Sequence, residues 1–341
     1  MIEILIVAVL FLSYCNGAND NFKGVATLYG SGTVNYLTAI SLATIATFAG
    51  SLASLYLAQG LVSAFSGNGL VPDLIAADVH FLIAVAAGAS LTVLLATRLG
   101  LPVSTTHGLI GGLLGAGLIA SGADVNFSQL GSVFVLPLLL SPILSCALAF
   151  GLYRIASSLR HRAGLRKELC LCVGNERFVQ AVPNLSGFSA LAQPQSLTAI
   201  NSLTLRAGDM TSCREFYTGK FAGVSLQWFL DAAHVSSAAM VSFARGLNDT
   251  PKIAGLLVVA TALDVNYSLS AIAVIMGIGG LLNARRVAET ISHRITDQSH
   301  GQGFVANLVT GILVISASRL GLRVSCCVRV DRHLAQARSR A

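Results

Sequence analysis

The sequence predicts an all-α integral membrane protein made of two repeated halves, with polar residues interrupting its hydrophobic helices. Three observations carry the prediction. The first is composition: of 341 residues, 54% are hydrophobic and only 11% are charged, and the mean hydropathy is +0.72. A soluble domain carries about 25% charged residues, so this chain cannot cover itself in polar surface. The second is segment length. Long apolar stretches are separated by Gly and polar breaks, whereas a membrane barrel shows alternating segments of roughly ten residues. The third is duplication. Gly17-Ala18-Asn19-Asp20-Asn21-Phe22-Lys23-Gly24 returns as Gly246-Leu247-Asn248-Asp249-Thr250-Pro251-Lys252. In both copies Asn-Asp follows Gly by two residues and Lys follows Asp by three.

The chain opens with an apolar run, Ile2 to Tyr14, preceded by no basic residue and followed by no small-x-small cleavage site. It reads as a retained membrane helix and not a signal peptide. It is shorter than the ~20 residues a span needs. It therefore ends at the polar break as a half-helix or spans by continuing through it. Leu37 to Phe65 is a long span rich in Ala and Gly, which permit close helix contact. A Gly- and Pro-containing loop separates it from the span His80 to Leu99. Pro102 then disfavours helix at Leu101. Ser104, Thr105, Thr106 and His107 follow, and behind them runs Gly108 to Ala120, whose Gly111, Gly112, Gly115 and Gly117 suit tight packing. Leu130 to Ile155 is a further span, with Pro137 and Pro142 expected to kink it.

Residues 156–220 are the least apolar and hold most of a basic cluster that runs from Arg154 to Arg177. They read as a cytoplasmic loop without an independent domain. The second half resumes with Phe221 to Phe243, interrupted by Asp231 and His234, a spacing open to a proton relay or a polar helix contact. After the second Asn-Asp motif come the apolar runs Ile253 to Leu263, Leu269 to Leu282 and Gly303 to Leu320. The organisation is thus 1–155 first transmembrane repeat, 156–220 basic polar loop, 221–322 second repeat and 323–341 basic tail.

The net charge of +7 sits in clusters flanking spans, as the positive-inside rule requires, so it calls for no nucleic-acid partner. Seven cysteines, an odd number with two inside apolar runs, give no disulfide framework, and a lone Cys170-x-Cys172 is no metal motif. No nucleophile-base constellation or phosphate loop points to an enzyme or an ATP-driven pump.

Ala96-Thr97-Arg98-Leu99-Gly100-Leu101 recurs as Ala317-Ser318-Arg319-Leu320-Gly321-Leu322, in the same order and at nearly the same offset as the Asn-Asp motifs. Duplicated halves with polar-interrupted hydrophobic segments point to a secondary transporter whose substrate site lies where the breaks face each other. Helix N-termini offer N–H groups and a positive dipole end to an anion. Asn and Ser/Thr add neutral donors, and Asp holds a cation or proton. A carboxylate inside a membrane is functional by default.

These residues, Gly17-Ala18-Asn19-Asp20, Pro102-Val103-Ser104-Thr105-Thr106-His107 and Gly246-Leu247-Asn248-Asp249, resemble the inorganic phosphate transporter (PiT) family, over the chain from its start to about Leu322. The resemblance implies two inverted-topology repeats in a multi-pass protein of the cell membrane. It implies phosphate, or sulfate as in some relatives, bound by Asn19, Asp20, Ser104, Thr105, Thr106, Asn248 and Asp249. It also implies Na⁺ or H⁺ as coupling ion, no cofactor, and admits a homodimer. Apart from Na⁺ at Asp20 and Asp249, no metal is expected.

Two features depart from the family. Relatives commonly carry Asn three residues after the motif Asp, where this chain has Lys23 and Lys252. These lysines are expected to pair with Asp20 and Asp249 or to meet the anion, replacing sodium with fixed or protonatable positive charge. The alternative is that each snorkels to an interface. After Leu322, where the first half has its hydroxyl cluster and Gly-rich helix, the chain reads Arg323-Val324-Ser325-Cys326-Cys327 and stays basic to Ala341. A truncated or frameshifted reading frame would produce this change.

Overall fold

A computed structural model describes residues 1–65, 67, 69–162, 170–181, 197–208, 222–258, 265–295 and 300–321. The chain divides into two compact units, Met1–Ile155 with Ala233–Ala341, and Ala156–Ala232.

The larger unit is helical. The principal helices of the chain are α1 (Ile2–Asp20), α2 (Ala26–Gly30), α3 (Tyr36–Leu57), α4 (Gln59–Ala64), α5 (Asp73–Ala76), α6 (Val79–Arg98), α7 (Thr105–Ser121), α8 (Phe127–Gln129) and α9 (Leu136–Arg162). They are followed by α10 (Leu226–Val258), α11 (Val265–Asn283), α12 (Arg285–Glu289) and α13 (His300–Arg319). The end of α9 and the start of α10 belong to the smaller unit. Among the described residues, six helical stretches are long and apolar enough to cross a membrane: Ile2–Gly24, Tyr36–Leu57, Val79–Arg98, Phe127–Leu159, Asn266–Asn283 and Gly301–Arg319. Leu91, Ile119, Leu139, Ile143 and Leu282 are exposed along these helices and α7, a surface made for lipid.

At the first motif the structure takes the second of the two expected alternatives: α1 continues through Gly17 and Asn19 to Asp20 and passes into a 3₁₀ turn, Asn21–Gly24. The second motif lies inside continuous α10, with Pro251 within the helix. Polar residues in an apolar run look like a break, but these make their hydrogen bonds sideways to other helices, so the helical backbone is left intact. Pro251 removes one intrahelical donor without ending the helix.

The connecting region also differs from expectation. It holds a three-stranded antiparallel sheet, ordered β2-β1-β3, from β1 (Cys170–Ala181), β2 (Leu197–Gly208) and β3 (Ala222–Ser225). The register sets Leu171 opposite Ala207 and Val173 opposite Leu205. Leu203, Leu205 and Ala207 have the period-two spacing of a strand, a signal diluted by the polar residues around it. The tail at 323–341 lies outside the described residues.

Helix α1 packs against α6 and α11, and one apolar cluster joins Leu5, Val9 and Leu12 to Val85, Ala89, Leu113, Ile272 and Met276. Towards its C-terminal end α1 is enclosed on all sides, every residue from Cys15 to Asp20 being buried. Ala244 to Leu257 in α10 are buried in the same way.

Glycines make this enclosure possible, and they do so reciprocally. A side chain at Gly17 would run into the Met276 carbonyl, and one at Gly246 into the Thr47 carbonyl. One at Gly50 would meet the Phe243 carbonyl, and one at Gly279 the Tyr14 carbonyl. Gly17 and Gly246, Thr47 and Met276, Gly50 and Gly279, and Tyr14 and Phe243 are all separated by 229 residues. These four contacts between the halves thus form two matched pairs, with α1 on α11 matched by α10 on α3.

A backbone carbonyl cannot rotate away from an added methyl group. Ala at Gly17, Gly50, Gly246 or Gly279 is expected to cost about 1–3 kcal/mol of stability by overpacking. Gly111 and Gly115 face open space, so Ala there is expected to stay within about 0.5 kcal/mol of the parent. Thermal unfolding of the purified protein in detergent checks the contrast.

Candidate functional site

Asp20 ends α1 and is 6% exposed. Two cations hold its carboxylate. Lys23 Nζ, one 3₁₀ turn on, donates to Oδ1 at 2.5 Å, and Arg245 Nη1, from α10, donates to Oδ2 at 2.5 Å. Lys23 also donates to the Val103 carbonyl at 2.7 Å. The second motif is laid out differently. Lys252 Nζ lies 3.5 Å from Asp249 Oδ1 and donates to Thr106 Oγ1 at 2.8 Å. Its ammonium also sits 5.5 Å from the centre of the Phe65 ring. Asn248 Nδ2 donates to Asp249 Oδ1 at 3.1 Å.

The two motif asparagines fasten the neighbouring segments. Asn19 Nδ2 donates to Thr97 Oγ1 and to the Leu101 carbonyl, and Asn19 Oδ1 accepts from the Val103 N–H. These bonds fix the Pro-containing segment that leads into α7. Asn248 Oδ1 accepts from Ser318 Oγ at 3.3 Å. Thr97 and Ser318 hold the same place in the two Ala-Thr/Ser-Arg-Leu-Gly-Leu segments. Each motif Asn thus bonds the hydroxyl of its own half's second repeated segment.

The hydroxyl cluster separates into three environments. Ser104 caps the start of α7 and is half-buried, while Thr105 and Thr106 are buried in its first turn. Thr105 Oγ1 donates to Asn16 Oδ1 at 2.5 Å, and Thr106 receives Lys252. His107 is exposed and, with Val103, Thr92 and Gly111, lines a cavity of about 540 Å³ between α6 and α7. His234 is buried and its Nε2 lies 3.0 Å from Thr27 Oγ1, which Asn307 also contacts. It takes part in a polar contact between helices away from the motifs.

The expected residues are therefore brought together: Asp20 with Lys23, Asp249 with Lys252, and Thr106 of the first half with Lys252 of the second. The motif comparison missed Arg245 and Asn16. They occupy equivalent positions, one residue before the motif Gly in each half. The signal for Arg245 was present: it is a guanidinium in the middle of an apolar helix, directly before a duplicated motif. Pairing by similarity hid it, because its counterpart is an amide.

The electrostatics rest on five side chains. Lys23, Arg245, Lys252, Asp20 and Asp249 are between 1% and 10% exposed. Removing an ion from water costs several kcal/mol even after relaxation. Opposite unit charges about 4 Å apart return ~4 kcal/mol at an effective dielectric constant of ~20. None of the five is tenable alone in such a place, whereas the paired network is. Three cations against two carboxylates leave the cluster with one positive charge in excess. An anion is the natural complement, and the N-terminal turn of α7, beside Thr106 and Lys252, adds a positive dipole end. Among the described residues no group of His, Cys, Asp and Glu is arranged to hold a metal ion.

Comparison with known proteins agrees with this chemistry. Residues 16–328 match the model of the phosphate transporter family. A protein of Pyrococcus abyssi named "Putative phosphate permease" is 26% identical over 353 residues, covering 93% of this chain and 83% of its own length. A Helicobacter pylori protein of the same description is 28% identical over 342 residues, covering 91% of this chain and 63% of its own length. A solved structure named "The sodium-dependent phosphate transporter" has the same fold, with a TM-score of 0.67 at 19% identity over 95% of this chain and 86% of that one. With the family model spanning nearly all its length and six helices apolar enough to cross a membrane among the described residues, the chain belongs to the phosphate transporter family and is a multi-pass membrane protein, not an enzyme.

Proposed function

We propose that this chain is a secondary transporter that carries inorganic phosphate across the cell membrane by cation symport, with Na⁺ or H⁺ as the coupling ion. The observation that carries the reading is the buried cluster with one excess positive charge, enclosed by the two matched motifs. Phosphate docks against Lys252, Thr106 and the first turn of α7, where the ammonium stands farther from its carboxylate than either cation on Asp20 does. Lys252 is 3.5 Å from its carboxylate, against 2.5 Å for each cation on Asp20. An oxyanion at this point accepts the ammonium, the hydroxyl and helix N–H groups without dismantling the tight pairs. Asn19, Asp20, Asn248 and Asp249 hold the frame, and Ser104 and Thr105 shape the entrance to α7.

The reciprocal glycine contacts and the matched Asn–hydroxyl bonds support two inverted-topology repeats, since a two-fold relation brings each residue onto the partner of its counterpart. In such a frame, movement of one half against the other alternately opens the central site to either side. Residues 1–155 and 221–322 form the two halves, and 156–220 join them.

The decisive experiment is uptake of radiolabelled phosphate by the purified protein in liposomes. Saturable uptake, inhibited more strongly by unlabelled phosphate than by equimolar sulfate, is expected. Uptake equal to that of empty liposomes contradicts the reading, and stronger inhibition by sulfate reassigns the cargo. Lys252→Gln removes the excess charge and is expected to raise the phosphate KM at least tenfold, while Lys252→Arg retains measurable uptake. An unchanged KM in the Gln variant would remove Lys252 from the docking point.

A further inference from the structure

We propose that Lys23 and Arg245 act as built-in counter-ions in the cation seat of Asp20, with Lys252 doing the same at Asp249, so that phosphate is carried without sodium. The inference deepens the transporter reading and rests on it for the cargo. Sodium binds through oxygen ligands that replace its water shell. The motif residues Asn19, Asp20, Asn248 and Asp249 have six side-chain oxygens, and five of them already receive a donor from the protein. Asp20 Oδ1 takes Lys23 and Oδ2 takes Arg245, both at 2.5 Å. Asn19 Oδ1 takes the Val103 N–H at 3.0 Å and Asn248 Oδ1 takes Ser318 at 3.3 Å. Asp249 Oδ1 takes Asn248 at 3.1 Å and Lys252 at 3.5 Å. The motif side chains thus leave too few oxygens of their own to replace the water shell of a sodium ion.

Charge leads to the same conclusion. A monovalent cation reaching Asp20 would lie beside two positive groups that are themselves fixed. Lys23 is anchored a second time by the Val103 carbonyl, and Arg245 is held at 6% exposure inside α10. Because the cluster already has one positive charge in excess, a further cation increases an imbalance that an anion removes. A covalently tethered cation also cannot be released on the far side with the cargo, so these groups serve as fixed charge and not as a co-transported ion.

Two measurements on the intact protein test this separately from the cargo. The first is equilibrium binding of ²²Na⁺ to the detergent-purified protein, which needs no transport. No saturable binding is expected below about 100 mM, and saturable binding in the millimolar range overturns the proposal. The second is phosphate uptake into liposomes at a fixed pH gradient, with sodium replaced by potassium or choline. Rates within twofold are expected. A tenfold stimulation by sodium, or uptake of ²²Na⁺ along with phosphate, overturns the proposal. Absence of phosphate uptake under every cation condition defeats the transporter reading instead, and the binding measurement still decides the sodium question. The double substitution Lys23→Gln with Arg245→Gln frees Asp20 and is expected to create saturable ²²Na⁺ binding. A folded double variant that binds none removes these two residues from the role. If the variant does not fold, the two wild-type measurements decide.

Discussion

The carboxylate of Asp20 is the point on which the structure turns. It lies at the end of α1, almost out of reach of water, and it is tolerable there only because Lys23 and Arg245 hold its two oxygens. Lys23 comes from the turn that follows α1, whereas Arg245 comes from α10, far away in the sequence. One ion pair therefore fastens the first half to the second. Breaking a buried pair by removing one partner costs about 3–5 kcal/mol, a large share of the stability of any fold. The position of α10 against the end of α1, and with it the position of Lys252 against Thr106, follows from that constraint.

The matched halves prepare the place for this pair. Gly17 and Gly246 let two helices approach to backbone contact, and Gly50 and Gly279 do the same on the facing helices. Without side chains at these points the motif residues meet at the centre of the bundle. The equivalence then ends within the charged cluster. Position 16 is Asn and bonds Thr105, whereas position 245 is Arg and bonds Asp20. A symmetric frame thus carries an asymmetric site, tight around Asp20 and looser around Asp249. That division leaves Asp20 held by two cations and Asp249 by a longer pair with Lys252.

Much of this was legible in the residues. The membrane class followed from composition, the duplication from the Asn-Asp and Ala-Thr/Ser-Arg-Leu-Gly-Leu segments, and the pairing of each Lys with the Asp three residues earlier from the departure of Lys23 and Lys252 from the family pattern. Three things were hidden, each for a physical reason. The continuity of α10 was hidden because polar residues in an apolar run look like a break when their partners on other helices are unknown. The partner of Arg245 was hidden: the residue was visible as a guanidinium in an apolar run, but its counterpart Asn16 is an amide, and only the approach of α10 to α1 shows that the guanidinium meets Asp20. The sheet of residues 170–225 was hidden because its alternation is short and lies among polar residues. The reciprocity of Gly17 with Met276 and Gly246 with Thr47 was beyond reach from sequence, since it is a relation between four segments and not within any one.

The account treats Asp20 and Arg245 as members of one network that joins the halves. The most direct test is a double-mutant cycle on the thermal stability of the purified protein, with Asp20→Asn, Arg245→Gln and the two combined. The account predicts that each single substitution is strongly destabilising and that the double variant loses at least about 1 kcal/mol less than the sum, the mark of residues in contact. Additive losses within about 0.5 kcal/mol would contradict it, because they would mean that the two charges do not sense each other.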